Sequence, residues 1–279
     1  MKPEDMSTSE LRVPSTEPIF LRSGNAIVFN QLGVKLMLPM TLASENYFEW
    51  LDDMKSKIDT LVPGGEIAEK PYARTTPRLN TGVYYDTPDR DLLAVGAVLR
   101  TTCNKITHAF CAFKQPADAA GVRRDHRHVF SGAEKETIQN NPTSAAAVGI
   151  VKNLLARTDI EHPGVHLRAA YGIDPTTLTP SIQIAQLRHP FFVWLDGKDA
   201  LRCVMDRAAV TDLRHDAAGA EFLELELPIY PRISPDVASD PRTLRLIDTL
   251  ASEAIRGLDG VLTVQNKYQR AAEELEIRR

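Results

Sequence analysis

The chain has 279 residues, 43% of them hydrophobic and 25% charged, which is enough for one large domain or two small ones with a real core. Its 33 basic and 37 acidic residues leave a net charge of −4, and aromatics make up only 6%. Those figures fit neither an extended duplex-binding surface nor a base-stacking platform, so any basic site must be local and concave.

Residues 1–18 are polar and mildly acidic and read as a flexible tail, leaving 19–279 as a single domain. The first nineteen residues lack the apolar stretch of a signal peptide. The longest apolar runs, such as 191–195, are too short to span a bilayer. The three cysteines, Cys103, Cys111 and Cys203, form no CxxC pair, which argues against a disulfide framework or a cysteine zinc site. A cytoplasmic protein is the resulting expectation.

Along the chain, residues 27–38 alternate with period two: Gln31, Gly33 and Lys35 share one face, and Leu32, Val34, Leu36 and Leu38 the other. Residues 44–61 place Phe48, Leu51, Met54, Ile58 and Leu61 at helical spacing. Strands are expected over 81–86, 97–103, 107–115 and 122–130, with the small, flexible segment 116–121 as a hairpin loop. A helix is expected over 144–156, then strands over 182–187, 191–195, 201–212 and 221–229. Residues 231–241 read as a loop that ends at Asp240, a helix N-cap followed by Pro241. That helix runs over 241–258, and a last, charged helix starts at Lys267. Strands in groups with helices between them indicate α+β rather than a doubly wound parallel fold.

The charges are placed informatively. Glu224 and Glu226 alternate with leucines; Lys35, Arg100 and Lys114 each follow an apolar neighbour. Period-two geometry sends each charge to the face opposite that neighbour. Such a pattern fits a sheet with one solvated face. It equally fits an antiparallel β-barrel of about eight strands, with a polar lumen and helices packed outside.

The block Tyr84-Tyr85-Asp86-Thr87-Pro88-Asp89, followed by Leu92-Leu93, Gly96 and Val98-Leu99-Arg100, carries a resemblance. Phe113-Lys114-Gln115-Pro116, Asp206-Arg207, Leu223-Glu224-Leu225-Glu226-Leu227 and Asn266-Lys267-Tyr268-Gln269-Arg270 follow in order. From residue 27 to 272, this series resembles the CYTH family, the triphosphate tunnel metalloenzymes. The resemblance implies a tunnel in which Lys35, Arg100, Lys114, Arg124, Arg188 and Lys267 face phosphate. It implies that Glu224 and Glu226 hold a divalent metal, Mg²⁺ or Mn²⁺, with Asp206 either in that site or orienting a basic residue. His126 and His128, two apart on one strand face, would join Glu224 and Glu226 in a mixed N/O site for Mn²⁺ or Zn²⁺; the commoner alternative is that both are solvated or hydrogen-bonded.

The chain also departs from the family pattern. Where members carry an ExExK strand, it reads Gln31-Leu32-Gly33-Val34-Lys35. Gln31 still offers a neutral oxygen, and Gly33 is expected to leave room for a larger ligand. Thr102 replaces a second arginine, and Arg124-Asp125-His126-Arg127-His128 replaces an R-x-E-x-E phrase. Two functions follow from the resemblance. One is a divergent triphosphate tunnel protein that binds a triphosphate, nucleotide or other organophosphate and hydrolyses it with a divalent metal. The alternative is a non-catalytic phosphate- or nucleotide-binding module that has lost the metal site. No Ser-His-Asp signature or glycine-rich P-loop stands out, and no catalytic residue is assigned.

Overall fold

A computed structural model of the chain describes residues 20–71, 73–119, 121–215 and 219–277. The tail read over residues 1–18 lies outside them. Strand β1 (Phe20–Ser23) turns back into β2 (Ala26–Gln31), and β3 (Gly33–Leu38) follows after one residue. Helix α1 (Ser44–Leu61) leads to β4 (Gly65–Glu69) and β5 (Arg78–Asp86). The short α2 (Asp91–Ala94) precedes a meander of β6 (Val98–Asn104), β7 (His108–Lys114) and β8 (Arg123–Val129). Helices α3 (Gly132–Asn140), α4 (Ala145–Ala156) and α5 (Pro163–Tyr171) come next, then β9 (Thr179–Leu195), β10 (Lys198–Asp212) and β11 (Ala220–Pro228). The chain continues through α6 (Pro235–Ala238), α7 (Pro241–Leu258), β12 (Val261–Leu262) and α8 (Lys267–Glu274).

The fold is α+β, as the periodicity predicts. One antiparallel sheet has the order β1-β2-β8-β7-β6-β5-β9-β10-β11-β3-β12, with β4 paired to the C-terminal part of β9. It contains twelve strands among the described residues rather than about eight, and this hydrogen-bonded path is open. Strands β1, β4 and β12 are short additions of four, five and two residues. The single strand expected over 27–38 is divided at Leu32, with β2 beside β8 and β3 beside β11.

Gly33 explains the division. Its φ is +155°, and a Cβ there would lie 2.4 Å from Pro228 Cα on β11. The backbone of β11 therefore fills the space that the sequence pattern left for ligand, and only glycine permits so close an approach. The strands expected over 182–187 and 191–195 form one strand, β9, that passes through Pro190. Residues 179–188 pair with β5 and 191–195 with β4. Pro190, which has no N–H to donate, falls between these two ladders.

The helices cover the outer face of the sheet. Trp50, Met54 and Ile58 of α1 and Leu246, Leu250 and Ala254 of α7 pack with Leu36, Phe191 and Leu225 of the strands. Under α4 and α5, Val151, Leu155 and Leu167 meet Leu99, Cys111 and Phe113. Each fully buried leucine or phenylalanine contributes about 1.5–3 kcal/mol. Asp240 caps α7 by accepting from the Arg242 N–H at 2.8 Å, as its position before Pro241 predicts. Among the described residues, no helix is long and apolar enough to cross a membrane. The strands' other side chains point to the inner face, where the chemistry lies.

Candidate functional site

The inner face borders a cavity of about 1130 Å³ lined by residues from β2, β3 and β5 to β11, and by the segment leading into α8. Of the residues expected at the site, Lys35, Arg100, Lys114, Arg188, Lys267 and Glu226 line this cavity. Asp206 and Glu224 are fully buried in its wall, bonded to Arg188 and Lys267 respectively. Arg78, Arg123, Arg127 and Arg202 line it as well, and the sequence pattern did not single them out.

Strand β8 accounts for the errors in the sequence-based expectation. Arg123, Arg127 and Val129 line the cavity, and Asp125 between them bonds the cavity residue Lys114. Arg124 is therefore on the outer face and exposed, not facing phosphate. His126 and His128 also lie on the outer face, so they form no site with Glu224 and Glu226. The His126 ring stacks on His166 of α5 with centroids 3.6 Å apart, and burial lowers its pKa to about 4. The inward register is set by Arg127, whose guanidinium lies 4.5 Å from the ring centroids of both Phe29 and Phe110. Charges at every second position, Arg123, Asp125 and Arg127, were the signal in the sequence. Arg202 was legible too, four residues before Asp206 on the same face of β10. Arg78 lies just before the strand predicted from residue 81.

Two buried carboxylate centres organise the cations. At the first, Asp125 accepts from Arg127 Nε at 3.0 Å and Nη2 at 2.8 Å, and lies 3.0 Å from Lys114 Nζ. Burial favours the neutral acid, but Arg127 and Lys114 outweigh it and hold Asp125 well below the usual carboxylate range. Burial lowers the Lys114 pKa to about 7, with Asp125 opposing and Arg100 and Arg127 adding to the shift. Lys114 also donates to Gln31 Oε1 at 2.9 Å, which gives the glutamine of the altered ExExK phrase a definite role.

At the second centre, Arg188 forks onto Asp206, with Nε at 2.7 Å and Nη2 at 3.1 Å. Lys35 Nζ lies 3.1 Å from Glu226 and 3.5 Å from Glu224. Lys267 Nζ contacts all three acids: Asp206 at 3.1 Å, Glu226 at 2.9 Å, and Glu224 through a short hydrogen bond. Burial would lower the Lys267 pKa, but Glu224, Glu226 and Asp206 hold it above the ordinary lysine value. Burial raises Glu224, whereas Lys267, Lys35 and Arg188 hold Glu226 well below the ordinary value.

Four cations have no carboxylate partner among the described residues. Arg100 donates to the Tyr84 hydroxyl at 2.8 Å, and Arg123 to the Val264 carbonyl at 2.9 Å. Arg78 and Arg202 have no ion pair, and Arg78 sits directly across from Arg188 in the ladder. Like charges so placed repel and destabilise the sheet. Among the described residues, nine arginines and lysines line the cavity. Two acids, Asp118 and Glu226, line it and three more, Asp125, Asp206 and Glu224, are buried in its wall. A chain of net charge −4 has thus concentrated a local excess of positive charge in a concave site.

The acidic residues do not fit a divalent cation as they stand. Among the described residues, no group of three or more His, Cys, Asp or Glu side chains is arranged to hold one. The oxygens that converge do so on the Lys267 ammonium. Of these oxygens, and among the described residues, only Glu224 Oε2 is buried without a hydrogen-bond partner. One orphaned oxygen is far short of the near-octahedral oxygen shell that Mg²⁺ demands.

No protein-family model and no curated protein matches the chain. Solved structures do. A candidate adenylate cyclase from Bacillus halodurans is similar at 16% identity and a TM-score of 0.47, covering 86% of this chain and 97% of that one. A candidate adenylyl cyclase from Hippeastrum, with a dominant triphosphatase activity, is similar at 14% identity and a TM-score of 0.48, covering 87% and 95%. The Pct1 RNA triphosphatase of S. pombe is similar at 10% identity and a TM-score of 0.28, covering 85% and 86%. Those activities are their own, and the functional reading of this chain rests on its side chains.

Proposed function

We propose that this protein binds a triphosphate or other organophosphate anion in a basic tunnel. The observation that carries this reading is the set of nine cations on the cavity wall, four of them without a carboxylate partner among the described residues. Arginine offers planar, multi-donor contacts to phosphate, and lysine a compact charge. We assign phosphate contact to Lys35, Arg100, Lys114 and Arg188, with Arg78, Arg123, Arg127 and Arg202 added. The tunnel itself we read as an eight-stranded barrel within a single domain over 19–279. In it, β2 and β3 act as one interrupted strand running from β8 to β11, and β1, β4 and β12 are appendages.

A second reading is metal-assisted hydrolysis of the same anion with Mg²⁺ or Mn²⁺. Its ligands would be Asp206, Glu224 and Glu226, but these acids converge on the Lys267 ammonium, which a metal would have to displace. Melting curves with tripolyphosphate, ATP and thiamine triphosphate test the first reading: at least one ligand raises Tm, and no shift with any of them refutes it. Phosphate release from the same ligands, with and without Mn²⁺, tests the second.

A further inference from the structure

We propose that the Lys267 ammonium is a built-in counter-cation that takes the place of a divalent ion among Asp206, Glu224 and Glu226. The cavity then receives its phosphate ligand metal-free. This inference rests on the anion-binding reading above and names its ligand as the unchelated polyphosphate rather than its magnesium complex.

A lysine ammonium has three donors and no acceptor. Here three carboxylates surround it, Asp206 at 3.1 Å, Glu226 at 2.9 Å and Glu224 in closer contact. Hydrogen bonds to Glu224 and Glu226 and the ion pair with Asp206 commit the ammonium to the acids, so Lys267 serves as a positioning residue rather than the phosphate ligand that the family resemblance implied. Lys35 and Arg188 supply two further cations to the same three acids. The cluster is therefore electrically balanced before any metal arrives. A dication placed within bonding distance of these oxygens would stand against three neighbouring cations, and two of the acids have no exposed surface.

The ammonium is also held in place by its neighbours in the chain. Asn266 caps α8 by accepting from the N–H groups of Tyr268 and Gln269, and its side-chain amide donates to the Gly96 carbonyl at 2.9 Å. On the other side, the buried Tyr268 hydroxyl donates to Asp86 Oδ2 at 2.8 Å. Lys267 sits between these two anchors and is itself 5% exposed. A charge fixed in this way neutralises the acids and leaves the unpartnered arginines free to receive the anion.

The test is a pair of titrations on the full chain. Wild-type protein titrated with Mn²⁺, followed by paramagnetic resonance, shows no binding below about 1 mM. The Lys267→Met variant, which removes the charge and keeps an unbranched side chain, binds Mn²⁺ roughly tenfold or more tighter, since ligand charge tunes such sites. Tripolyphosphate binds wild type more tightly in EDTA than in excess Mg²⁺. Micromolar Mn²⁺ binding by wild type, a folded variant that gains no Mn²⁺ affinity, or equal or tighter tripolyphosphate binding in Mg²⁺ would each overturn the proposal. If the variant fails to fold, the wild-type titrations still decide. If tripolyphosphate binds in neither condition, the anion-binding reading fails, and the Mn²⁺ titrations still decide the role of Lys267 independently.

Discussion

If Lys114 contacts the bound anion as proposed, affinity depends on pH in a way that one substitution should remove. Its ammonium is buried beside Arg100 and Arg127, and its pKa is lowered to about 7 despite Asp125. A phosphate group in the cavity adds negative charge and raises that pKa, so the complex forms with Lys114 protonated. In the empty protein, about 90% of Lys114 is charged at pH 6 and about 10% at pH 8. If the complex stays protonated, affinity falls about tenfold across that interval, or about 1.4 kcal/mol. The ligand's own ionisation also changes with pH, so the comparison is with Lys114→Arg, which keeps its charge throughout. Calorimetry of tripolyphosphate binding from pH 6 to pH 8 should show a wild-type loss about tenfold steeper than the variant's. Proton uptake near pH 8 should likewise be larger for wild type. Parallel profiles and equal proton uptake would refute the assignment of a lowered pKa to Lys114.

Other expectations follow from individual contacts. Gly33→Ala forces a Cβ into the β11 backbone and costs about 1–3 kcal/mol, read as a lower Tm; an unchanged Tm would show that the approach of Pro228 is not tight. If Arg78 and Arg202 contact the anion as proposed, replacing either by Ala weakens binding by about 1.5–3 kcal/mol. Because the empty cavity is crowded with like charge, the unliganded Tm stays level or rises. Loss of Tm with unchanged affinity would contradict that balance. The His126–His166 stack contributes stability that is present above the ordinary histidine pKa near 6.5 and is lost as pH falls toward about 4. Acid titration of Tm should therefore be shallower for His126→Phe than for wild type, and identical curves would rule the stack out as the acid-sensitive element.

Much of the site was legible in alternation alone. Lys35, Arg100, Lys114 and Glu226 face inward because their apolar neighbours are buried under helices, a pattern that single residues reveal. Strand β8 misled because its outward residues are histidines, not aliphatics. His126 and His128 pack under helices as apolar groups would, yet read as polar in sequence. Gly33 resembled a lost carboxylate position, whereas it is a packing requirement of a backbone 195 positions away, at Pro228. Such an approach leaves no trace in local periodicity. The role of Lys267 was invisible for the same reason, since three strands supply or position its carboxylate partners. The strand count exceeded expectation because added strands of two to five residues lack room to display an alternating pattern, and because the strand expected over 27–38 divides at Leu32.

The central claim is that the cavity is an anion receptor. Calorimetry of wild-type protein with tripolyphosphate in EDTA tests it most directly. One ligand should bind per chain, with affinity falling as salt rises. A protein that stays folded and takes up no tripolyphosphate at millimolar concentration and low salt would contradict it.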